Sequence, residues 1–270
     1  MQIIDIIGSN WKLTLPTGSS GKPTEIEMPT LASYDDDHFY LTTGDGVVFV
    51  APTTGVSTDN SRYKRSELRE MTADGTVKAA WASTSGVHSM EVELTIDEVP
   101  IGSKPHVVVA QIHKGSGDVC VFRFEGSTID RTVGKLWITD GDTSHGHFVT
   151  DVRLGQRIQV GFHAQDGVIR FMFNSGTIAY EQEKKFTGGY FKTGCYLQTN
   201  EVLPDGEDFA QVTIYKLAVT HSDAAKPVDP PTCCVDELAQ LRADLAALAA
   251  SHGLLSFDVN RRFAALKAAL

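Results

Sequence analysis

The sequence contains no apolar run approaching the roughly 18 residues that a membrane-spanning helix needs, so we expect no membrane partner. Residues 1–7 carry no basic group and form a hydrophobic stretch too short for secretion, which predicts no signal peptide in this chain. Basic residues are also scarce: the chain has 24 Lys and Arg but 34 Asp and Glu, which gives a formal net charge of −10. A nucleic-acid partner would favour a basic surface, so this composition argues against one.

Cysteine is the other scarce residue. The chain has four, and their spacing is not that of a zinc finger. Cys120 and Cys195 fall in apolar strand patterns and are interpreted as buried thiols. The adjacent Cys233 and Cys234 could crosslink chains or stay free.

What is present is the composition of an ordinary globular protein, with 41% hydrophobic and 21% charged residues. Short alternating stretches recur along residues 9–219 and are separated by turn signals such as Asp166-Gly167. This pattern predicts an all-β sandwich or barrel. The polar segment 51–64 leads into one of these strands and is a candidate lid.

Three of the predicted strands carry a polar ladder on one face, because residues two apart in a strand point the same way. A solvent-exposed sheet would explain any one ladder taken singly. Three together favour the floor of a groove that binds an anion, because Lys and Arg are concentrated there despite the negative net charge. The ladders are Arg65, Glu67 and Arg69; Gln111 and His113; and Tyr190, Lys192, Tyr196, Gln198 and Asn200.

The blocks that contain these ladders resemble the three motif blocks of the alginate lyases of polysaccharide lyase family 7. The blocks are Arg-Ser-Glu-Leu-Arg (65–69), Gln-Ile-His (111–113) and Tyr-Phe-Lys-Thr-Gly-Cys-Tyr-Leu-Gln (190–198), and residues 10–16 are similar to the family's first strand. The third block departs at Thr193 and Leu197, both expected on the apolar face. The resemblance covers residues 8–220 and implies a β-jelly roll, a two-sheet sandwich with an active groove on its concave sheet.

A uronic-acid polymer is cut by β-elimination when its carboxylate is neutralised, a base takes the C5 proton and an acid protonates the leaving O4. Arg65 and Gln111 suit the neutralisation, and His113 suits the base because histidine titrates near neutral pH. Tyr196 suits the acid and, beside cations, could also act as base. The resemblance implies the same four roles. For substrate binding or bracing of the site we predict Glu67, Arg69, Lys114, Lys192, Gln198 and Asn200.

These residues predict a carbon–oxygen lyase that cleaves an anionic polysaccharide without a metal or an organic cofactor. Alginate is the substrate that they favour. In the family, Ile between Gln and His goes with guluronate-containing substrate, so Ile112 favours poly-guluronate or mixed polymer. Endolytic action is a further hypothesis.

Three alternatives come from other substrates or other classes of protein. A glucuronan lyase would meet the same C5 proton and carboxylate. A non-catalytic carbohydrate-binding module would favour exposed aromatics over an Arg, Gln, His and Tyr site. A glycoside hydrolase would need two carboxylates across one cleft, whereas Glu67 and Glu70 are predicted to point to opposite faces.

A change of pattern divides the chain into three parts. Residues 1–221 form the predicted catalytic domain, residues 222–232 a Pro-rich linker, and residues 233–270 a short α-helical extension. A coiled-coil seam, which would make a homo-oligomer through residues 234–270, and a helical hairpin are equal alternatives for this extension. The seam would consist of Leu238, Leu241, Leu245 and Leu248.

An oligomerising tail on a polysaccharide-degrading domain suits an extracellular or virion-associated protein. A phage tail depolymerase is the corresponding hypothesis.

Overall fold

The computed structural model describes residues 2–222 apart from residues 60, 116, 141–145, 175 and 205–207. The predicted linker beyond Ser222, the helical extension at 233–270 with its oligomer seam, and Cys233 and Cys234 lie outside the described residues. Ser222, which was predicted to open the linker, is instead the last residue of the final strand. Cys120 and Cys195 are buried free thiols, as predicted.

The described residues form two short helices and a series of β-strands. The helices are α1 (Ile3–Ile7) and a 3-10 helix at Thr30–Ser33. The strands are β1 (Trp11–Ser19), β2 (Lys22–Ile26), β3 (Phe39–Leu41), β4 (Val47–Pro52), β5 (Arg65–Glu70), β6 (Val87–Glu98), β7 (His106–Lys114), β8 (Gly117–Gly126), β9 (Val133–Thr139), β10 (His147–Arg153), β11 (Ile158–Gln165), β12 (Val168–Phe173), β13 (Thr177–Glu183), β14 (Tyr190–Leu197) and β15 (Phe209–Ser222). None of the helices in this described part has the length and apolar character to cross a membrane.

The strands form two antiparallel sheets. One has the order β10-β9-β8-β7-β14-β5-β1-β2, and the other has the order β13-β12-β11-β6-β15-β4-β3. Successive strands change sheet repeatedly, as β5, β6 and β7 do, so the chain winds around both layers. The predicted all-β sandwich of the jelly-roll type is therefore confirmed. We call the eight-stranded layer the ladder sheet, because all three polar ladders lie on it, and its outward side the ladder face.

The core lies between the two sheets, because the apolar residues of each alternating strand point inward. Phe122 of β8 in the ladder sheet contacts Phe162 of β11 in the other sheet, with ring centroids 5.1 Å apart. Phe191 of β14 stacks on Phe162 with a centroid separation of 6.3 Å. Each of these three rings is at most 1% exposed. Burial of one such ring contributes about 1.5–3 kcal/mol, so the inner face of β14 is firmly held.

A polar link crosses the core at Glu70, which is 1% exposed. Its carboxylate accepts hydrogen bonds from the backbone N–H of Phe191 (2.8 Å) and the indole N–H of Trp81 (3.2 Å), and it contacts His221 of β15. Glu70 thus joins the ladder sheet to the other sheet. Glu67 points to the opposite face, as predicted, so these two carboxylates do not form a hydrolase pair.

The alternation of the sequence does not predict α1, β2 or β10. The strand β2 is mostly polar and contains Pro23, which an edge strand accepts because one side of it makes no ladder hydrogen bonds. The strand β10 is the opposite edge and is largely exposed, so it lacks an apolar face. The helix α1 has five residues, too few for a helical period, and is capped by the Asp5 carboxylate, which accepts the Gln2 N–H at 2.7 Å.

Candidate active site

The three polar ladders lie side by side, because β14 pairs with β7 on one side and with β5 on the other. The strands are distant in sequence, and only the sheet topology makes them neighbours. The register places polar residues of all three strands next to each other on the ladder face. The cross-strand neighbours are Lys192 with Gln111 and Arg69, Tyr190 with His113, and Tyr196 with Arg65.

Gly194 allows β14 to approach β5 closely. Its φ is +138°, in the region that favours glycine, and a Cβ there would lie 2.6 Å from the carbonyl oxygen of Ser66. The pairing of β14 with β7 shifts register between Thr193 and Tyr196, around this glycine. A side chain at position 194 would push apart the strands that carry Lys192 and Tyr196 on one side and Glu67 on the other.

Glu67 is the centre of the site. Its carboxylate accepts a hydrogen bond from the Arg65 guanidinium at 3.0 Å and one from the Gln111 amide, and it forms an ion pair with Lys192. The residue is 1% exposed, so three side chains from three strands converge on one buried anion. This arrangement fixes the position of Arg65, Gln111 and Lys192 before any ligand binds.

The charges within this cluster shift the pKa values of its members. Burial acts to raise the pKa of Glu67, but the Lys192 and Arg65 charges outweigh it, and the pKa is lowered. Burial lowers the pKa of Lys192 to about 8, and the neighbouring Arg65 charge acts in the same direction. Glu67 is therefore ionised at neutral pH, whereas Lys192 is a cation that can lose its proton under mildly alkaline conditions.

The two contacts of the His113 ring determine its tautomer. Nδ1 lies 2.7 Å from the backbone oxygen of Lys114 and 2.8 Å from the hydroxyl of Tyr190. A carbonyl oxygen can only accept, so Nδ1 carries the proton and Nε2 is the basic nitrogen. Burial, helped by the Lys192 charge, lowers the pKa of His113 to about 4. The imidazole is therefore neutral at neutral pH and able to accept a proton.

Tyr196 lies between cations and the segment before β5. The guanidinium carbon of Arg65 is 3.8 Å from the centroid of its ring, and Nζ of Lys192 is 5.9 Å away. Its hydroxyl is 2.9 Å from the hydroxyl of Ser61. The half-buried phenol is thus oriented by packing on one side and by a hydrogen-bond partner at its tip.

Arg69 is held firmly at the end of the first ladder. Its guanidinium carbon lies 4.0 Å from the centroid of the Tyr190 ring, and it donates to the backbone oxygens of Glu70 and, at 3.1 Å, Ala79. The stacking connects Arg69 to His113, because Tyr190 contacts both.

The remaining predicted substrate-binding residues lie at strand ends. Lys114 is the last residue of β7, and its backbone oxygen orients His113. Gln198 and Asn200 follow the end of β14, although the sequence pattern predicted that the strand would continue through them. Gln198 accepts a hydrogen bond from Arg123 at 3.5 Å, and Asn200 accepts one from Lys64 at 3.4 Å. These last two residues are not part of the Glu67 cluster.

Two residues of the site were not among the predicted site residues. Tyr190 belongs to the third ladder and shares a face with Lys192, so the alternation could have assigned it. Ser61 reaches Tyr196 from the segment 51–64, the predicted lid, and no periodic signal distinguishes it from its neighbours. Within the described ranges, no group of three or more His, Cys, Asp or Glu side chains could hold a metal ion.

A jelly-roll sandwich whose sheet face holds Arg and Gln on one buried carboxylate, with a His and a Tyr on the same face, has an arrangement suited to a polysaccharide lyase. The particular family follows from comparison with known proteins. The chain belongs to the alginate lyase family, whose model matches residues 4–221.

Individual relatives agree with this assignment. An alginate lyase of Klebsiella pneumoniae is 26% identical over 279 residues, covering 79% of this chain and 89% of that protein. The crystal structure of an alginate lyase from Corynebacterium sp. has a TM-score of 0.73 and 40% identity, covering 81% of this chain and 97% of that one. The family 7 alginate lyase AlgAT5 has a TM-score of 0.71 and 38% identity, covering 82% and 99% of the two chains.

These similarities confirm the family and the carbon–oxygen lyase class predicted from the three sequence blocks. They support an alginate-cleaving polysaccharide lyase, and they favour neither a glucuronan lyase nor a non-catalytic binding module.

Proposed function

We propose that the protein cleaves alginate by β-elimination on the ladder face, with Arg65, Gln111, His113 and Tyr196 as the catalytic groups. The observation that carries this proposal is the convergence of Arg65 and Gln111 on the buried Glu67, beside a neutral His113 and an oriented Tyr196. Donors that are fixed in advance stabilise charge that develops in the transition state, because they need not reorganise during the reaction.

Arg65 and Gln111 neutralise the substrate carboxylate. Arg65 uses one N–H on Glu67, and a guanidinium has five N–H donors. Gln111 uses one of its two amide N–H groups on the same carboxylate. The remaining donors are available to a uronate carboxylate, which then accepts the negative charge that spreads onto it when C5 loses its proton. Lys192 keeps the cluster cationic overall, since Glu67 offsets only one of the two neighbouring charges.

The His113 imidazole and the Tyr196 phenol carry out the two proton transfers. Nε2 of His113 takes the proton from C5, and the electron pair of that C–H bond forms the C4–C5 double bond. The bond between C4 and the glycosidic O4 breaks, and the Tyr196 hydroxyl gives its proton to O4. The products are a new chain end at O4 and an unsaturated uronate, and no water is consumed. Proton transfer by positioned groups contributes about a hundredfold to ten-thousandfold in rate.

The preference for guluronate-containing polymer is a finer proposal. Ile112 is fully buried, so its side chain packs in the core and does not contact a substrate. Any effect of Ile112 on specificity must therefore act through the positions of Gln111 and His113. Endolytic cleavage is proposed with it. Initial rates on poly-guluronate and poly-mannuronate test the substrate preference. Product sizes measured early in the reaction test endolytic action, which would be contradicted if the early products were mostly small sugars released from chain ends.

The decisive experiment follows the ultraviolet absorbance of the C4–C5 double bond on poly-guluronate, poly-mannuronate and glucuronan, with a chelator present. We expect a rise on alginate polymers, and a loss of about a hundredfold or more in His113→Ala and Tyr196→Phe. His163→Ala and Tyr215→Phe are matched controls, because both residues lie on the other sheet, where they contact Ser89 and Arg157. Near-full turnover in Tyr196→Phe would refute its role as the acid, and no rise on any polymer would refute the lyase reaction.

A homo-oligomer through residues 234–270, and with it an extracellular or virion-associated role, is proposed from the leucine spacing alone. Light scattering of the full chain and of a chain ending at Ser222 tests the oligomer. A monomeric full chain would refute it.

A further inference from the structure

Buried polar atoms without a hydrogen-bond partner are concentrated on the ladder sheet. Six such atoms occur among the described residues, in His38, Arg65, His106, Arg123, Trp137 and Thr139, and all except that of His38 belong to strands of this sheet. Leaving a buried donor unpaired costs about 1–3 kcal/mol, so each one calls for an explanation. Arg65 belongs to the site already described, whereas Arg123, Trp137 and Thr139 lie on β8 and β9, beyond it.

The sheet register connects these three residues to the site. Tyr196 lies opposite Val108, Val108 opposite Arg123, and Arg123 opposite Trp137. A second row runs from Gln111 through Val121 to Thr139. Trp137 is three strand spacings from Tyr196, or about 14 Å. That distance is the length of a few sugar residues in an extended polysaccharide, and both rows run across the sheet.

Trp137 faces outward on this row. Its neighbours Leu136 and Ile138 are buried in the core, and Trp137 is not among the side chains that pack against that core. Phe148 of β10 meets the Trp137 ring edge to face at 5.3 Å and is itself 43% exposed. The two rings form an amphipathic platform at the end of the ladder face, with the unpaired indole N–H of Trp137 beside them.

Arg123 supplies positive charge next to this platform. No carboxylate in the described part of the chain forms an ion pair with it, and its guanidinium donates to Gln198 at 3.5 Å while its Nε has no partner. In the neighbouring row, Lys135 lies between Glu125 and Asp151, and its Nζ is 6.0 Å from the centroid of the Phe148 ring. Arg123 and Lys135 are therefore cations that a uronate carboxylate would meet beside this platform, and Arg123 is the one with an unpaired buried N–H.

We propose that Trp137, Arg123 and Thr139 form a distal subsite that binds uronate residues of the polymer away from the cleaved bond. The subsite rests on the proposed function, since it extends the same substrate along the same sheet face. A sugar ring lies against Trp137 and Phe148, and its carboxylate pairs with Arg123. The indole N–H and the Thr139 hydroxyl are buried in the free protein, so binding would turn both side chains until these unpaired groups meet sugar oxygens.

The first test compares long and short oligosaccharides. Trp137→Ala lowers kcat/KM on polymer and on long oligosaccharides by about threefold to tenfold, the loss expected when one hydrogen bond and the contact of the ring with the sugar are removed. The shortest oligosaccharides that the enzyme cleaves do not reach β9, so their kcat/KM stays unchanged, which also shows that the variant folds. Trp137→Phe keeps the ring and loses the N–H, and its effect is intermediate. Equal losses on short and long substrates, or no loss on long ones, would overturn the subsite.

The second test measures binding without cleavage. Long guluronate oligosaccharides are added to Tyr196→Phe, and the tryptophan fluorescence is followed with and without the additional change Trp137→Phe. Of the other two tryptophans, Trp11 is fully buried and Trp81 packs against the core beside His88 and Phe186, so we expect the signal to change with Trp137 present and not without it. A change that persists in Trp137→Phe would overturn the proposal. A Trp137 signal together with an inactive wild-type enzyme would refute the lyase reaction and support the subsite.

Discussion

Replacing Glu67 with Gln tests whether one buried carboxylate organises the active site. The substitution keeps the size and shape of the side chain and removes its charge. Glu67 is 1% exposed, and the side chains of Arg65 and Lys192, which pair with it, are each 9% exposed. Without the anion, two cations remain next to each other in a largely buried position.

The expected loss of stability follows from these burial values. Removing one partner of a buried ion pair costs about 3–5 kcal/mol, because the remaining charge is left uncompensated. Lys192 can lose its proton more readily than an ordinary lysine, since its pKa is already lowered to about 8, so we expect the lower half of that range. For a domain of this size each kcal/mol lowers Tm by roughly 2–4 °C, which gives a decrease of about 6–16 °C.

Activity should fall as well, and for a separate reason. Gln111 donates to Glu67, and a glutamine at position 67 can turn its own N–H groups toward that amide and toward the two cations. The donors that face the substrate then lose their fixed orientation. We expect kcat to decrease by about tenfold or more, since an interaction of 1.4 kcal/mol or more is lost in the transition state.

The assay is thermal unfolding by circular dichroism together with initial rates on alginate. Glu181→Gln is the control, because Glu181 also pairs with an arginine, Arg170, but is 49% exposed. An exposed pair contributes about 0–1 kcal/mol, so the control should lose at most a few degrees and no activity. If Glu67→Gln changed Tm no more than the control does, Glu67 would not be the organising residue.

Three further predictions concern protonation and the backbone. The pKa of His113 is lowered from 6.5 to about 4, so kcat/KM should fall only as the pH approaches 4. The stability that the neutral ring contributes should be complete above pH 6.5 and be lost as the pH falls toward 4. A decrease of kcat/KM already near pH 6.5 would contradict this assignment. The pKa of about 8 at Lys192 predicts that activity falls above pH 8, and that Lys192→Arg moves this decrease to higher pH. If the decrease stayed at the same pH in Lys192→Arg, another group would be responsible for it. Gly194→Ala should lower Tm more than Gly188→Ala, because both positions have positive φ but only at Gly194 does a Cβ meet backbone, at 2.6 Å; equal decreases would disprove the close approach.

Much of the site could be assigned from the sequence, because a strand places every second residue on one face. This rule put Arg65, Glu67 and Arg69 on a shared face and Glu70 on the other, as the structure has them. It worked where one face is apolar, since the core then fixes the register. It did not detect β2 or β10, because an edge strand needs no apolar face and can consist of polar residues.

Only the tertiary structure decided which strands are neighbours. The ladder of β14 lies between those of β5 and β7, and that order makes Glu67 the common partner of Gln111 and Lys192. The contact of Ser61 with Tyr196 follows from the same pairing, and the row from Tyr196 to Trp137 requires in addition that β7 pairs with β8 and β8 with β9. Alternation along a strand is a local property of the chain, so the sequence determined which side chains face outward. Pairing between strands depends on contacts across long stretches of chain, so the fold alone determined which of them meet.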